Sequence, residues 1–321
     1  MKTLAFFSYK GGSGRTSLIY NTIPFLVKKL GADEKHPIIL VDMDLDSAGL
    51  SYILDVDTKT RMTTNKLISS DNASMLSRLK ADVKMNPKSL DELDFYNLLA
   101  PVGFQFGLSY KEANANKSVL FVPAQPKTTG AGFDMPNNKC IYDFISICEG
   151  TGCKAVIFDL PAGNQVTGRQ ALQRCDTVLV CFRITKQHRR GTIEFLEDNL
   201  DTDGQQKYIL VPNAVPDCRK KVKVAGGLFN FESVKEDTIS KLQKAFVDKG
   251  LDSKSQLITS MFEGEWYGVP EVCRFKLEED ILYRIKENLH DGEQLLEDEE
   301  LAYKAYDKVT DLIVGTSNEW F

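Results

Sequence analysis

The stretch Tyr9-Lys10-Gly11-Gly12-Ser13-Gly14-Arg15-Thr16-Ser17 sets glycines, hydroxyls and two cations between an apolar run, Leu4 to Phe7, and an amphipathic segment that opens near Thr16. A glycine-rich turn from a strand into a helix aims successive backbone N–H groups at one small volume, and the positive end of the helix dipole adds to the pull on an oxyanion. Glycine at 11, 12 and 14 leaves room for phosphates or allows the backbone angles such a turn needs. The chemistry this predicts is phosphate binding.

Two acidic stretches complete the pattern. Pro37 to Val41 is apolar and runs directly into Asp42-Met43-Asp44-Leu45-Asp46, and Lys154 to Phe158 runs into Asp159-Leu160-Pro161-Ala162-Gly163. A buried parallel strand that ends in carboxylates delivers them to the carboxyl edge of a sheet, where open α/β sheets bind ligands. Either acid alone reads as a turn or helix-capping residue. Glycine loop and both acids, in this order and each at a strand end, read as one site.

The common phosphate loop is G-x-x-x-x-G-K-[ST]. Here Tyr9 stands at its first glycine, Arg15 at its lysine, and Lys10 is an additional cation ahead of the glycines. Lys-Gly-Gly-x-Gly-[Lys/Arg]-Thr resembles the deviant Walker A loop of the ParA/MinD family of dimerising ATPases. The resemblance implies that Lys10 crosses to a partner subunit's nucleotide and that Gly11, Gly12, Ser13, Gly14, Arg15, Thr16 and Ser17 hold phosphates. It implies further that Asp44 orients the attacking water, and that Thr16, Asp42 and Asp159 serve Mg²⁺, partly through water. Arg15 replaces a compact ammonium by a planar fork, which bears on the rate of hydrolysis more than on binding. Asn213, at the end of the run Tyr208 to Pro212, stands where relatives recognise the adenine edge, and it also reads as a turn residue before Pro216. A guanine reader needs Asn-Lys-x-Asp, whereas the text is Asn213-Ala214-Val215-Pro216-Asp217, so ATP is favoured over GTP.

Positioning these residues takes an α/β fold, a mainly parallel twisted sheet with helices on both faces, as in P-loop NTPases. Strands are predicted near 3–9, 37–42, 118–122, 154–159, 176–182, 207–211 and 255–261. Helices are predicted at 16–30, 138–149, 166–175, 186–199, 232–248, 277–289 and 295–313. The polar stretch 59–117 is expected to hold helices near 60–80 and 89–100 and a strand at 104–109. One domain over 1–321 is expected, elaborated at about 59–150. Gly130-Ala131-Gly132 reads as a surface loop.

At 321 residues, 42% hydrophobic and 26% charged, the chain has the composition of a globular protein with an ample core. It shows neither a secretory leader nor an apolar stretch of about 18 residues, so a cytoplasmic protein without membrane attachment is expected. The seven cysteines are read as reduced thiols. Cys140, Cys148 and Cys153 fit no metal spacing, which argues against an iron–sulfur carrier.

The formal charge of −5 gives no general field for DNA. Two basic runs, Lys186 to Arg190 and Arg219 to Lys223, read as solvated faces that a dimer would concentrate into a patch. The C-terminal helix is acidic, unlike a lipid-docking one, and Trp320-Phe321 suits docking to protein or nothing. The leading reading is an ATP- and Mg²⁺-dependent switch that forms a homodimer on ATP and engages a protein partner. A nucleotide-binding interaction module with little catalysis is the alternative, and a tyrosine kinase, which needs a tyrosine-rich tail, ranks third.

Overall fold

A computed structural model of the chain describes residues 1–59, 61–85, 95–108, 115–125, 138–163, 165–200, 206–215, 222–224, 227–229, 258–260, 268–272, 274–276 and 280–315, with six positions between 236 and 248. Its centre is an eight-stranded sheet in the order β10-β7-β6-β1-β5-β2-β4-β3. The strands are β1 (Lys2–Phe7), β2 (Ile38–Asp42), β3 (Ala100–Pro101), β4 (Val119–Val122), β5 (Ala155–Asp159), β6 (Thr177–Phe182), β7 (Lys207–Pro212) and β10 (Ile258–Ser260). Every pairing in it is parallel except the short edge strand β3 on β4. A separate antiparallel pair joins β8 (Val222–Val224) to β9 (Gly227–Phe229).

The central strands are near-continuous apolar runs, IILVD, AVIFD and TVLVCF, and all their residues are buried. That is the pattern of a parallel sheet covered on both faces. One face packs against α1 (Arg15–Leu30), α8 (Leu282–Glu287) and α9 (Glu297–Val314). The other packs against α4 (Ala73–Met85), α5 (Asn138–Gly150), α6 (Val166–Leu172) and α7 (Lys186–Asn199). Lys29 near the end of α1 pairs with Asp307 at 2.6 Å and Asp311 at 2.7 Å on α9, which fixes the two helices side by side. Phe7 at the end of β1 stacks on Phe195 of α7 with ring centroids 4.0 Å apart, so α7 is anchored next to the segment that follows β1.

Register then places the chemistry. β5 lies between β1 and β2, with Phe6 opposite Asp159 and Asp159 opposite Asp42. The loop after β1 and the acids ending β2 and β5 therefore share one edge of the sheet, as the sequence predicts.

The stretch after β2 differs from expectation. Instead of one helix over 60–80 there are α2 (Gly49–Leu54), α3 (Thr64–Ile68), a 3₁₀ turn at Ser70–Asn72 and α4. The Thr63 hydroxyl accepts from the Lys66 N–H and the Ser69 hydroxyl from the Asp71 N–H, so two local caps restart the chain where a polar periodicity looked continuous. The strand expected at 104–109 is a 3₁₀ turn at Gly103–Phe106 closed by Gly107 at φ 74°. Where the helix expected at 89–100 is described, from 95 on, the chain instead forms a 3₁₀ turn at Tyr96–Leu98 and enters β3. Residues 89–94, most of the helix expected at 232–248, the loop at 130–132, residues 219–221 of the second basic run, and Trp320-Phe321 lie outside the described residues. No described helix is long and apolar enough to cross a membrane.

Candidate functional site

The loop between β1 and α1 turns on left-handed glycines. Gly12 and Gly14 sit at φ 74° and 78°, and Gly14 is the left-handed residue that turns the chain into α1. No side chain caps this helix and its first turn holds no acid. The first N–H groups of a helix have no intrahelical acceptor, so those of α1 are left to face whatever enters. A Cβ at Gly11 or Gly12 would meet nothing within 4 Å, which leaves open space beside the loop. A cavity of about 440 Å³ lies here, lined by Gly11 to Ser17 together with Asp44, Tyr20, Phe275 and Asp280.

The side chains of the loop are already engaged. Arg15 is 7% exposed and turns back under the loop. Its Nη2 donates to Asp44 Oδ2 at 2.9 Å, its Nη1 to Ser8 Oγ at 3.0 Å, and its Nε to Asp159 Oδ1. Burial works against the guanidinium charge, but Asp159 and then Asp44 outweigh it and hold the Arg15 pKa above its ordinary value. Asp44 Oδ1 in turn accepts from the Ser47 N–H at 3.2 Å.

Asp42 is held by its own neighbours. Its Oδ1 accepts from the Asp44 N–H at 3.0 Å, and its Oδ2 accepts from the Ser51 N–H at 3.0 Å and hydroxyl at 2.7 Å. Burial, and then the charge of Asp159, push its carboxyl up to about 7. Asp42 is a buried strut that ties the end of β2 to α2, and it does not line the cavity. The expected magnesium set of Thr16, Asp42 and Asp159 thus does not fit a divalent cation as the residues stand. Thr16 faces the cavity, but Asp159 is spent on Arg15 and Asp42 on Ser51 and the Asp44 N–H. Among the described residues no three His, Cys, Asp or Glu side chains group as metal ligands. Cys140, Cys148, Cys153, Cys175 and Cys181 are buried and unbridged.

Asn213 is 5% exposed and lies behind the loop, its Nδ2 donating to the Ser13 and Gly14 carbonyls at 3.0 Å each. It braces the turn, a place that neither the base-contact nor the turn reading anticipated. Lys10 stays outside the cavity, with Nζ 3.4 Å from Gln187 Oε1 at the start of α7.

Several contributors went unseen in the sequence. Arg183, just after β6, donates from Nε to the Gly12 carbonyl at 2.7 Å and clamps the loop from outside. Tyr9 packs on α7 where Gly191 leaves room, since a Cβ there would stand 2.1 Å from Tyr9 Cδ1. Gln165 donates to Asp46 at 3.1 Å, joining the segments that follow β5 and β2. Ser8 and Ser51, each holding a charged residue of the site, carry no sequence signal beyond their neighbours.

No protein-family model matches the chain, and no curated protein matches it in sequence. Solved structures do match in fold. The ParA family ATPase from Chlorobium tepidum aligns with a TM-score of 0.58 at 13% identity, over 96% of this chain and 98% of that one. The septum site-determining protein MinD from Pyrococcus horikoshii, complexed with Mg-ADP, aligns at 0.57 and 14%, over 100% and 98%. A chain of the MinC:MinD cell division complex of Aquifex aeolicus aligns at 0.55 and 15%, over 98% and 96%. The identities are low and the coverage is near complete on both sides: this chain has the fold of the ParA and MinD ATPases.

Proposed function

We propose that this chain is an ATP-dependent switch, which binds ATP at the loop between β1 and α1, dimerises across it, engages a protein partner and resets by hydrolysis. The observation that carries this reading is the meeting of an uncapped, acid-free helix start with Arg15, Thr16 and Asp44 around one cavity. Backbone donors and the helix dipole supply the phosphate site. Asp44, from the neighbouring strand end, is the group that orients a water for attack. Lys10, which does not line its own cavity, is the residue assigned in this reading to a second subunit's phosphates. The fold relatives support the reading by what their names carry, an ATPase in one, Mg-ADP in another and a protein partner in the third.

The pairing of Arg15 with Asp44 favours a second reading, a nucleotide-binding module with little turnover, because the Asp44 Oδ2 that would hold a water is taken up by Arg15 Nη2 at 2.9 Å. One experiment separates the two. ATP turnover is followed in the full chain and in Asp44→Ala, with calorimetric binding of ATP and GTP alongside. Turnover lost in the variant while ATP binding persists supports the switch; equal turnover in both proteins favours the module. Equal or tighter GTP binding would overturn the choice of nucleotide.

A further inference from the structure

Two carboxylates from neighbouring strand ends, Asp44 at 8% exposure and Asp159 at 1%, share one guanidinium. Charge taken out of water must be compensated where it lies, and removing one partner of such a cluster leaves the other uncompensated. Arg15 does this from within the loop itself. The planar fork reaches the two acids and the Ser8 hydroxyl from three separate nitrogens, a span that the three donors on a single ammonium nitrogen do not have. Arginine at the lysine position is therefore a substitution with a geometric consequence.

We propose that Arg15 is a built-in counter-ion for Asp44 and Asp159 that closes the site to divalent cations, and that only an incoming phosphate chain releases it. A cation arriving alone would have to displace a guanidinium that cannot lose its proton and would strand it without a partner. A phosphate chain entering above Gly11 to Thr16 brings new acceptors within reach of the same fork, and phosphate suits it as well as carboxylate does. The two acids are then freed together. Cation and nucleotide so become strongly coupled ligands, each poor alone. The coupling half rests on the nucleotide reading above; the counter-ion half does not.

The test is a titration of the full chain with MnCl₂ alone, read by electron paramagnetic resonance, for wild type, Arg15→Lys and Arg15→Gln. Arg15→Gln uncovers two acids and should bind Mn²⁺ at least about tenfold more tightly than wild type, with Arg15→Lys between them because an ammonium can hold one acid. Equal Mn²⁺ affinity in wild type and Arg15→Gln overturns the proposal. Should Arg15→Gln fail to fold, wild type decides alone through calorimetry of ADP with and without Mn²⁺. The cation should tighten ADP by about 5- to 150-fold, the usual span of ligand coupling, while MnCl₂ without ADP gives no saturable signal. Saturable Mn²⁺ binding by wild type that ADP leaves unchanged overturns it. A wild type that binds no ADP under any of these conditions refutes the nucleotide reading, and the variants' Mn²⁺ titration still decides the counter-ion.

Discussion

Arg15 Nη2 lies 2.9 Å from Asp44 Oδ2, so the cation of the phosphate loop and the acid of the adjacent strand are one buried pair. Asp44 is needed for chemistry on the proposed reading, yet Arg15 keeps Asp159 when Asp44 is removed. Asp44→Ala should therefore fold, retain ATP, and lose turnover by about 10² to 10⁴, the range for a group that orients or deprotonates a water. Steady-state phosphate release measures it.

Asn213 offers a choice between two roles that affinity can separate. Its Nδ2 bonds to the Ser13 and Gly14 carbonyls brace the loop, and two buried hydrogen bonds are worth about 1–3 kcal/mol. Asn213→Ala should weaken ATP and GTP by similar factors in calorimetry. A change in the ratio of the two nucleotides, with ATP the loser, would instead mark Asn213 as a base reader.

Tyr9 and Gly191 should be coupled. A Cβ at Gly191 would stand 2.1 Å from Tyr9 Cδ1, closer than side chains approach, so Gly191→Ala must move Tyr9, the loop or α7. The damage to thermal stability and nucleotide affinity should be smaller in Tyr9→Ala/Gly191→Ala than the two single effects summed, as contacting residues behave in a double-mutant cycle. Additive effects would mean that the two do not meet.

His188, near the start of α7, gives a pH dependence with a definite sign. Burial, then Arg183 and Lys10, lower its pKa from 6.5. The unfolded chain thus takes up the proton first as pH falls. The folded state loses stability from about pH 6.5 down to the lower folded value, below which the loss is complete. Asp42, whose carboxyl is pushed up to about 7, acts in the opposite sense over the same range, so the measurement is the difference between two melting series from about pH 7.5 to 5.5: wild type should lose stability relative to His188→Gln as pH falls.

Much of this site could be read from the chain because its strongest signals are local. A glycine string between an apolar strand and a helix, and apolar runs ending in acids, carry their own geometry, so β1, β2, β5 and α1 lie where the periodicity places them. What local sequence does not contain is which way a strand-end side chain turns. Asp42 and Asp44 are two residues apart and look alike, yet Asp42 is turned to Ser51 and Asp44 to the cavity. Arg15 was legible as a cation at the loop, but its partners come from strands far along the chain. Between Asp55 and Ala73 the described chain runs through short capped elements before α4 begins, and turns set by single hydroxyls such as Thr63 and Ser69 leave little periodicity to read.

The most direct measurement of the switch is the solution mass of Asp44→Ala by light scattering, with ATP, with ADP and without nucleotide, beside the same series for Lys10→Ala. Lys10 stands outside its own cavity at 3.4 Å from Gln187, where it can serve a second subunit. Asp44→Ala is expected to double its mass with ATP alone, and Lys10→Ala to stay a monomer while still binding ATP. A chain that binds ATP by calorimetry and remains a monomer in every condition would contradict it.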